Sequence, residues 1–163
     1  MQELNFIYPE NKKECYQLVQ AQLTALLENE TNLIPNLSNA SALLNLALKD
    51  INWVGFYLVK NNKLLLGPFQ GKPACIHIPI GRGVCGTAVS EEQTQLVIDV
   101  HQFPGHIACD CASRSEIVIP IRNRGKVVGV LDIDSPLIAR FDAIDREGLE
   151  KVVQILEQGC IWE

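Results

Sequence analysis

No stretch of the 163 residues approaches the roughly 20 consecutive apolar residues of a membrane-spanning helix. The N-terminus, MQELNFIYPENKKE, also lacks the basic start and apolar run of a secretory signal. These two absences make the cytosol the expected address and a membrane an unexpected partner. Excess positive charge is missing too. Fourteen Lys and Arg against 19 Asp and Glu give a net charge of −5 and a pI near 5.2. That balance argues against nucleic acid or an anionic membrane surface. No internal repeat, linker or low-complexity segment is found. Residues 1–163 therefore read as one domain, long enough for a proper core and too short for two.

What is present looks globular, with 47% hydrophobic and 20% charged residues. The six cysteines stand out, because a cytosolic chain keeps its thiols reduced and does not use them as staples. Cys15 falls in a helical pattern with Leu18, Val19, Leu23, Leu26 and Leu27, and Cys160 ends a second such stretch. Both read as small core hydrophobes. Cys75, Cys85, Cys109 and Cys111 sit instead among Gly, Pro, His and Asp, where metal binding or redox chemistry is the better reading.

Hydrophobic period predicts a helix over 11–29 and a second one capped by Ser38 and ending before Asp50. Strands follow at 52–60, joined by NNK to LLLG, then at 75–80 and 95–98, with a short helix around TAVSEE. SEIVIPIRN and KVVGVLDID flank Arg124-Gly125 as a hairpin. A last helix is capped by Asp142, with Ile144, Leu149, Val152, Val153 and Leu156 on its buried face. Residues 99–114 form a long loop too apolar for disorder. The order predicts an α+β fold: a central, mainly antiparallel sheet flanked by N- and C-terminal helices.

Asp132 and Asp134 are two apart in a strand and so share a face, and the hairpin brings Glu116 near them. Crowded carboxylates cannot all ionise cheaply. At least one should hold a proton near neutrality for donation to a leaving oxygen, while an ionised one attracts the α-amine of a free amino acid. A solvated strand end is the plain alternative. A Mg²⁺ or Ca²⁺ site is another, without the ordered ligand loop such sites use.

Zinc is disfavoured by the thiol spacing, since Cys109-x-Cys111 is too tight and Cys75 and Cys85 are ten apart. His101 and His106 keep it open as a weaker reading. Redox fits better: an attacking thiolate at Cys109 is oxidised and condenses with a second thiol, and an external dithiol resets the pair. Asp110 opposes thiolate formation, which leaves His101, His106, Arg114 or loop N–H groups to favour it. Trp53 and Tyr57, four apart on one strand face, offer an aromatic wall for a methyl-sulfur group or, more plainly, core.

The segments NWVGFYL, LGPFQGKPACIHIPIGRGVCGTA, DVHQFPGHIACDCASRSEIVIPI and GVLDIDSP together resemble the free methionine-(R)-sulfoxide reductases, enzymes built on a GAF domain. The resemblance runs through residues 50–137. It implies a single GAF-type catalytic domain that reduces the R sulfoxide of free methionine without metal or organic cofactor. By position, Cys109 corresponds to the catalytic thiol, Cys75 to the usual resolving thiol, and Cys85 to the third family cysteine, which also joins disulfide exchange. Glu116, Asp132 and Asp134 correspond to acids that bind substrate and assist sulfoxide protonation, and Trp53 and Tyr57 to the aromatic side of the pocket. Thioredoxin as reductant and a homodimer are also implied. Cys111 departs from the family pattern, which more often has a small residue there; it reads as a passive substitution or a competing resolving thiol. A non-catalytic GAF module sensing a small ligand is the rival, disfavoured by the four mid-chain thiols and the acidic face.

Overall fold

A computed structural model describes residues 6–162; residues 1–5, where the reading of the extreme N-terminus falls, and 163 lie outside the described residues. Helix α1 (Lys12–Leu27) is capped by Asn11, whose side chain accepts from the Glu14 N–H. Helix α2 (Leu33–Ala47) starts earlier than its expected Ser38 cap. Pro35 is accommodated in its first turn, where a backbone N–H has no helical partner anyway. Ser38 lies inside the helix and donates back to the Ile34 carbonyl at 2.7 Å.

The strands are β1 (Trp53–Lys60), β2 (Lys63–Gly71) and β3 (His77–Pro79). Helix α3 (Gly83–Glu91) begins four residues before TAVSEE, and β4 (Gln95–Val97) follows. Strands β5 (Ser115–Asn123) and β6 (Lys126–Ser135) precede helix α4 (Ala143–Gly159). Among the described residues the strands form one sheet in the order β3-β2-β1-β6-β5-β4, with every pair antiparallel. The β1–β2 and β5–β6 turns place Asn61-Asn62 and Arg124-Gly125 at positive φ, as tight hairpin turns matching the strand twist require. The third strand is shorter than expected because Cys75 is drawn out of the ladder by the contacts described below.

One face of the sheet carries Val54, Phe56, Ile117, Ile119, Leu131 and Ile133 into a core shared with α1, α2 and α4. Leu149, Val152, Val153 and Leu156 of α4 are buried there, each contributing roughly 1.5–3 kcal/mol. Ile144 is not on that face: it is 43% exposed, because it follows the cap at the very start of the helix. A capping box between Asp142 and Asp145 fixes that start. The opposite face packs against α3 and the segment 100–107, forming a second, smaller core around Trp53, Tyr57, Val118 and Val130. Among the described residues no helix is long and apolar enough to cross a membrane.

Candidate active site

The second face also carries the acidic residues, in a geometry set by strand register. Glu116 pairs with Asp134 across β5 and β6, and Asp134 pairs with Trp53 across β6 and β1. Direct cross-strand partners keep their Cβ atoms about 4.5–5.5 Å apart. One row across three strands thus reads Glu116, Asp134, Trp53. The next row on this face holds Val118, Asp132 and Gly55. A Cβ at Gly55 would collide with the Phe69 side chain and the Pro68 carbonyl. Its absence accommodates the register shift in β1–β2 beside it.

These carboxyls are poor anions. Burial, then the charge of Asp134, pushes Glu116 well above the ordinary carboxylate range. Burial, then Glu116, does the same to Asp132, and burial, then Asp132, to Asp134, against a hydrogen bond with Ser113. Cys85 enters the cluster from the first turn of α3, its Sγ 4.0 Å from Glu116 Oε1. Burial first, then Asp132 and Glu116, holds this thiol well above its usual pKa, so it is neutral. The Oδ1 atom of Asp132 is buried and, among the described residues, has no hydrogen-bond partner beyond Cys85 and Glu116.

Trp53 forms the neighbouring wall, stacked on Tyr57 at 5.9 Å and on Phe69 at 5.2 Å between ring centroids. Both polar tips bind the segment that leads to Cys75. Trp53 Nε1 donates to the Lys72 carbonyl at 3.1 Å, and the Tyr57 hydroxyl to the Cys75 carbonyl at 2.9 Å. Burial raises the Tyr57 pKa, so the hydroxyl stays a donor. These two bonds lift residues 72–75 off the β2–β3 ladder and over the pocket.

Cys75 and Cys109 are joined by a disulfide, with Cα atoms 5.8 Å apart. Cys85 is free and buried; Cys111 is free and exposed. Cys15 and Cys160 are buried, as expected of core thiols. Asp110, between the two loop cysteines, points away from a purely repulsive role. Its carboxylate accepts from the Ala112 N–H at 2.9 Å and from Asn52 Nδ2 at 3.0 Å, with Lys72 Nζ at 3.6 Å. The Ala112 bond, then Asn52 and Lys72, outweighs the effect of burial and holds its pKa below the usual range. Asp110 is therefore the ionised anchor that folds the cysteine loop onto β1, held chiefly by the Ala112 N–H and Asn52.

Of the three cations considered for the thiol, His106 alone lines the pocket; His101 and Arg114 are exposed. His106 Nε2 lies 3.7 Å from Glu116 Oε2, and burial lowers its pKa, favouring the neutral ring. Trp53, Tyr57, Cys85, Cys109, Glu116, Asp132 and Asp134 all border one cavity of 30 Å³, room for a water or two. Cys75 adjoins it through its disulfide to Cys109. The eight residues singled out in the sequence are thus brought together. Phe69, Lys72 and Asn52 went unnoticed there; only the tertiary pairing of β1 with 69–72 and 110–113 gives them meaning.

The GAF domain family matches residues 13–159. The free methionine-R-sulfoxide reductase of Escherichia coli (strain K12) is 53% identical over 148 residues, covering 91% of this chain and 90% of that protein. A structure of the reduced fRMsr of Staphylococcus aureus is 58% identical, with a TM-score of 0.88 and coverage of 98% and 99% of the two chains. The free methionine-R-sulfoxide reductase of Neisseria meningitidis in complex with its substrate is 43% identical, with a TM-score of 0.92 over 98% and 95%. Fold, paired thiols and relatives agree, and the chain belongs to the GAF-domain family of free methionine-R-sulfoxide reductases.

Proposed function

We propose that this chain reduces free L-methionine-(R)-sulfoxide with Cys109 as attacking thiol and Cys75 as resolving thiol. The observation that carries the assignment is the Cys75–Cys109 disulfide at the mouth of a pocket walled by Trp53 and three carboxyls. Cys109 thiolate attacks the sulfoxide sulfur. A protonated carboxyl among Glu116, Asp132 and Asp134 gives its proton to the oxygen. Oxygen passes to Cys109, leaving it as a sulfenic acid, and methionine departs with the sulfur reduced. The Cys75 thiol then displaces that oxygen as water, and the disulfide forms. Thioredoxin, a dithiol, reopens the pair and is itself oxidised.

Recognition follows from the same cluster. The substrate's methylthio end rests against Trp53 and Tyr57, and its ammonium group meets the carboxyls. The incoming positive charge favours the anionic form of the carboxyl it meets, while the others keep their protons. A methionine inside a peptide has no such amine. No metal or organic cofactor takes part. With the disulfide closed, the 30 Å³ cavity is too small for an amino acid, so reduction must precede substrate entry, with the loop of Cys109 withdrawing from Cys75. Cys85 serves as the reserve thiol, Cys111 as a bystander. The active form is a cytoplasmic homodimer.

The test is NADPH consumption coupled to thioredoxin, with the free R sulfoxide, the free S sulfoxide and the N-acetylated R sulfoxide. Turnover of the free R form alone, abolished by Cys109→Ser, is expected. Equal turnover of the acetylated form would remove the amine from the carboxyls. No turnover of any sulfoxide by the reduced, folded protein would point to a ligand-binding module. Size-exclusion chromatography with light scattering checks the dimer.

A further inference from the structure

Asp132 is 6% exposed, and among the described residues its Oδ1 has no hydrogen-bond partner beyond the Cys85 thiol and the Glu116 carboxyl beside it. If those two gave up their protons with nothing in exchange, buried polar atoms would be left unpaired, at a cost on the order of 1–3 kcal/mol. One ligand atom from each of these three residues falls within 4.8 Å of the other two. All three side chains are buried, and they come from different elements: α3, β5 and β6.

We propose that Cys85, Glu116 and Asp132 form an inhibitory site for a borderline-soft divalent cation of the Zn²⁺ kind. A thiolate and two carboxylates suit such an ion, whereas Mg²⁺ and Ca²⁺ favour all-oxygen sets. Tetrahedral zinc with ordinary bond lengths would hold these ligand atoms about 3.4–3.6 Å apart. The Cys85–Glu116 pair at 4.0 Å therefore needs only a small contraction. His106 Nε2, 3.7 Å from Glu116 Oε2 and on a ring kept neutral by burial, is the nearest candidate for the fourth position. Binding displaces the thiol proton of Cys85 and any protons on the two carboxyls, and these leave to solvent. No electron changes hands. The dication then occupies the carboxylates that the substrate's ammonium group needs. That last consequence rests on the function proposed above; the binding itself does not.

Co²⁺ reports on the site directly, because a thiolate ligand gives it an intense near-ultraviolet charge-transfer band. The titration uses the full chain in its disulfide form, where Cys75 and Cys109 offer no thiolate. One equivalent should bind with that band, be displaced by Zn²⁺, and be unaffected by Cys111→Ser. Cys85→Ser should abolish the band, and Glu116→Gln should weaken binding at least about tenfold. Absence of the band, or its survival in Cys85→Ser, overturns the proposal. Should Cys85→Ser fail to fold, unchanged Co²⁺ affinity in Glu116→Gln overturns it equally. A Cys75→Ser/Cys109→Ser variant, open at the pocket mouth, then takes L-methionine as competitor. Displacement of Co²⁺ is expected. Binding at Cys85 that ignores methionine would sustain the metal site and sink the placement of the amine.

Discussion

Glu116 of β5 and Asp134 of β6 are direct register partners, so a buried and a half-buried carboxyl face each other across adjacent strands. Like charges in that relation are destabilising, and burial makes the cost larger. The arrangement makes sense only where protons, or a cation from outside, relieve it.

The first prediction concerns pH. Glu116, Asp132 and Asp134 have folded pKa values raised above their unfolded ones. Their contribution to stability is complete below about pH 4 and is lost as pH rises toward the folded values. Asp142 acts in the opposite sense. Burial opposes ionisation there, but Lys12 and the Asp145 N–H hold its pKa down at about 2, so its contribution is lost as pH falls toward that value. The urea midpoint of the metal-free protein should therefore fall between pH 5 and 8. Glu116→Gln should flatten that slope and stabilise the protein at pH 8 by on the order of 1–3 kcal/mol. A midpoint that rises over this range in the wild type would contradict the buried acid cluster.

The second concerns the thiols. Cys109→Ser should lose all turnover, whereas Cys75→Ser should complete one rapid turnover and then slow at least about tenfold, limited by resolution of the sulfenic acid. Dimedone labelling followed by mass spectrometry should find that acid at Cys109. Cys111→Ser should behave as wild type, since Cys111 lies outside the Cys75–Cys109 pair and is exposed.

A third prediction follows from the loop anchor. Asn52 Nδ2 donates to Asp110 at 3.0 Å and to Ser113 at 3.1 Å, tying the loop of Cys109 to the start of β1. Asn52→Ala should lower kcat/KM about tenfold or more by misplacing the thiol. Circular dichroism should still report the native fold, which distinguishes mispositioning from collapse.

The last prediction lies at the helical side. Asp145 is fully buried; it accepts from the Tyr16 hydroxyl at 2.8 Å, pairs with Lys12 and Arg140, and closes the capping box of α4. Asp145→Ala strands the Arg140 guanidinium and the Tyr16 hydroxyl and opens the capping box, while Lys12 keeps Asp142. It should cost about 3–5 kcal/mol in chemical denaturation. Because α4 packs on the face away from the pocket, kcat of the folded fraction should be unchanged.

Much of this protein is written in local pattern. The α1 and α4 periods, the Asp142 cap, the two hairpin turns and the shared face of Asp132 and Asp134 all arise from residues a few positions apart, where period and backbone sterics decide alone. The sequence also separated Cys15 and Cys160, surrounded by apolar helical neighbours, from the four thiols in polar company. Where a local rule met a tertiary demand it gave way: Ser38 was absorbed into α2, and Cys75 was pulled off its strand by Tyr57. Tertiary structure alone decided the rest. Asp110 looked like an obstacle to the thiolate and proved to be the loop's anchor, because Asn52 and Lys72, far away in the chain, converge on it. The hairpin pattern already brought Glu116 near Asp132 and Asp134; the structure added the register itself, Glu116 opposite Asp134. Crowding alone already implied a proton on at least one of the three carboxyls; burial, which no local pattern measures, raises the pKa of all three.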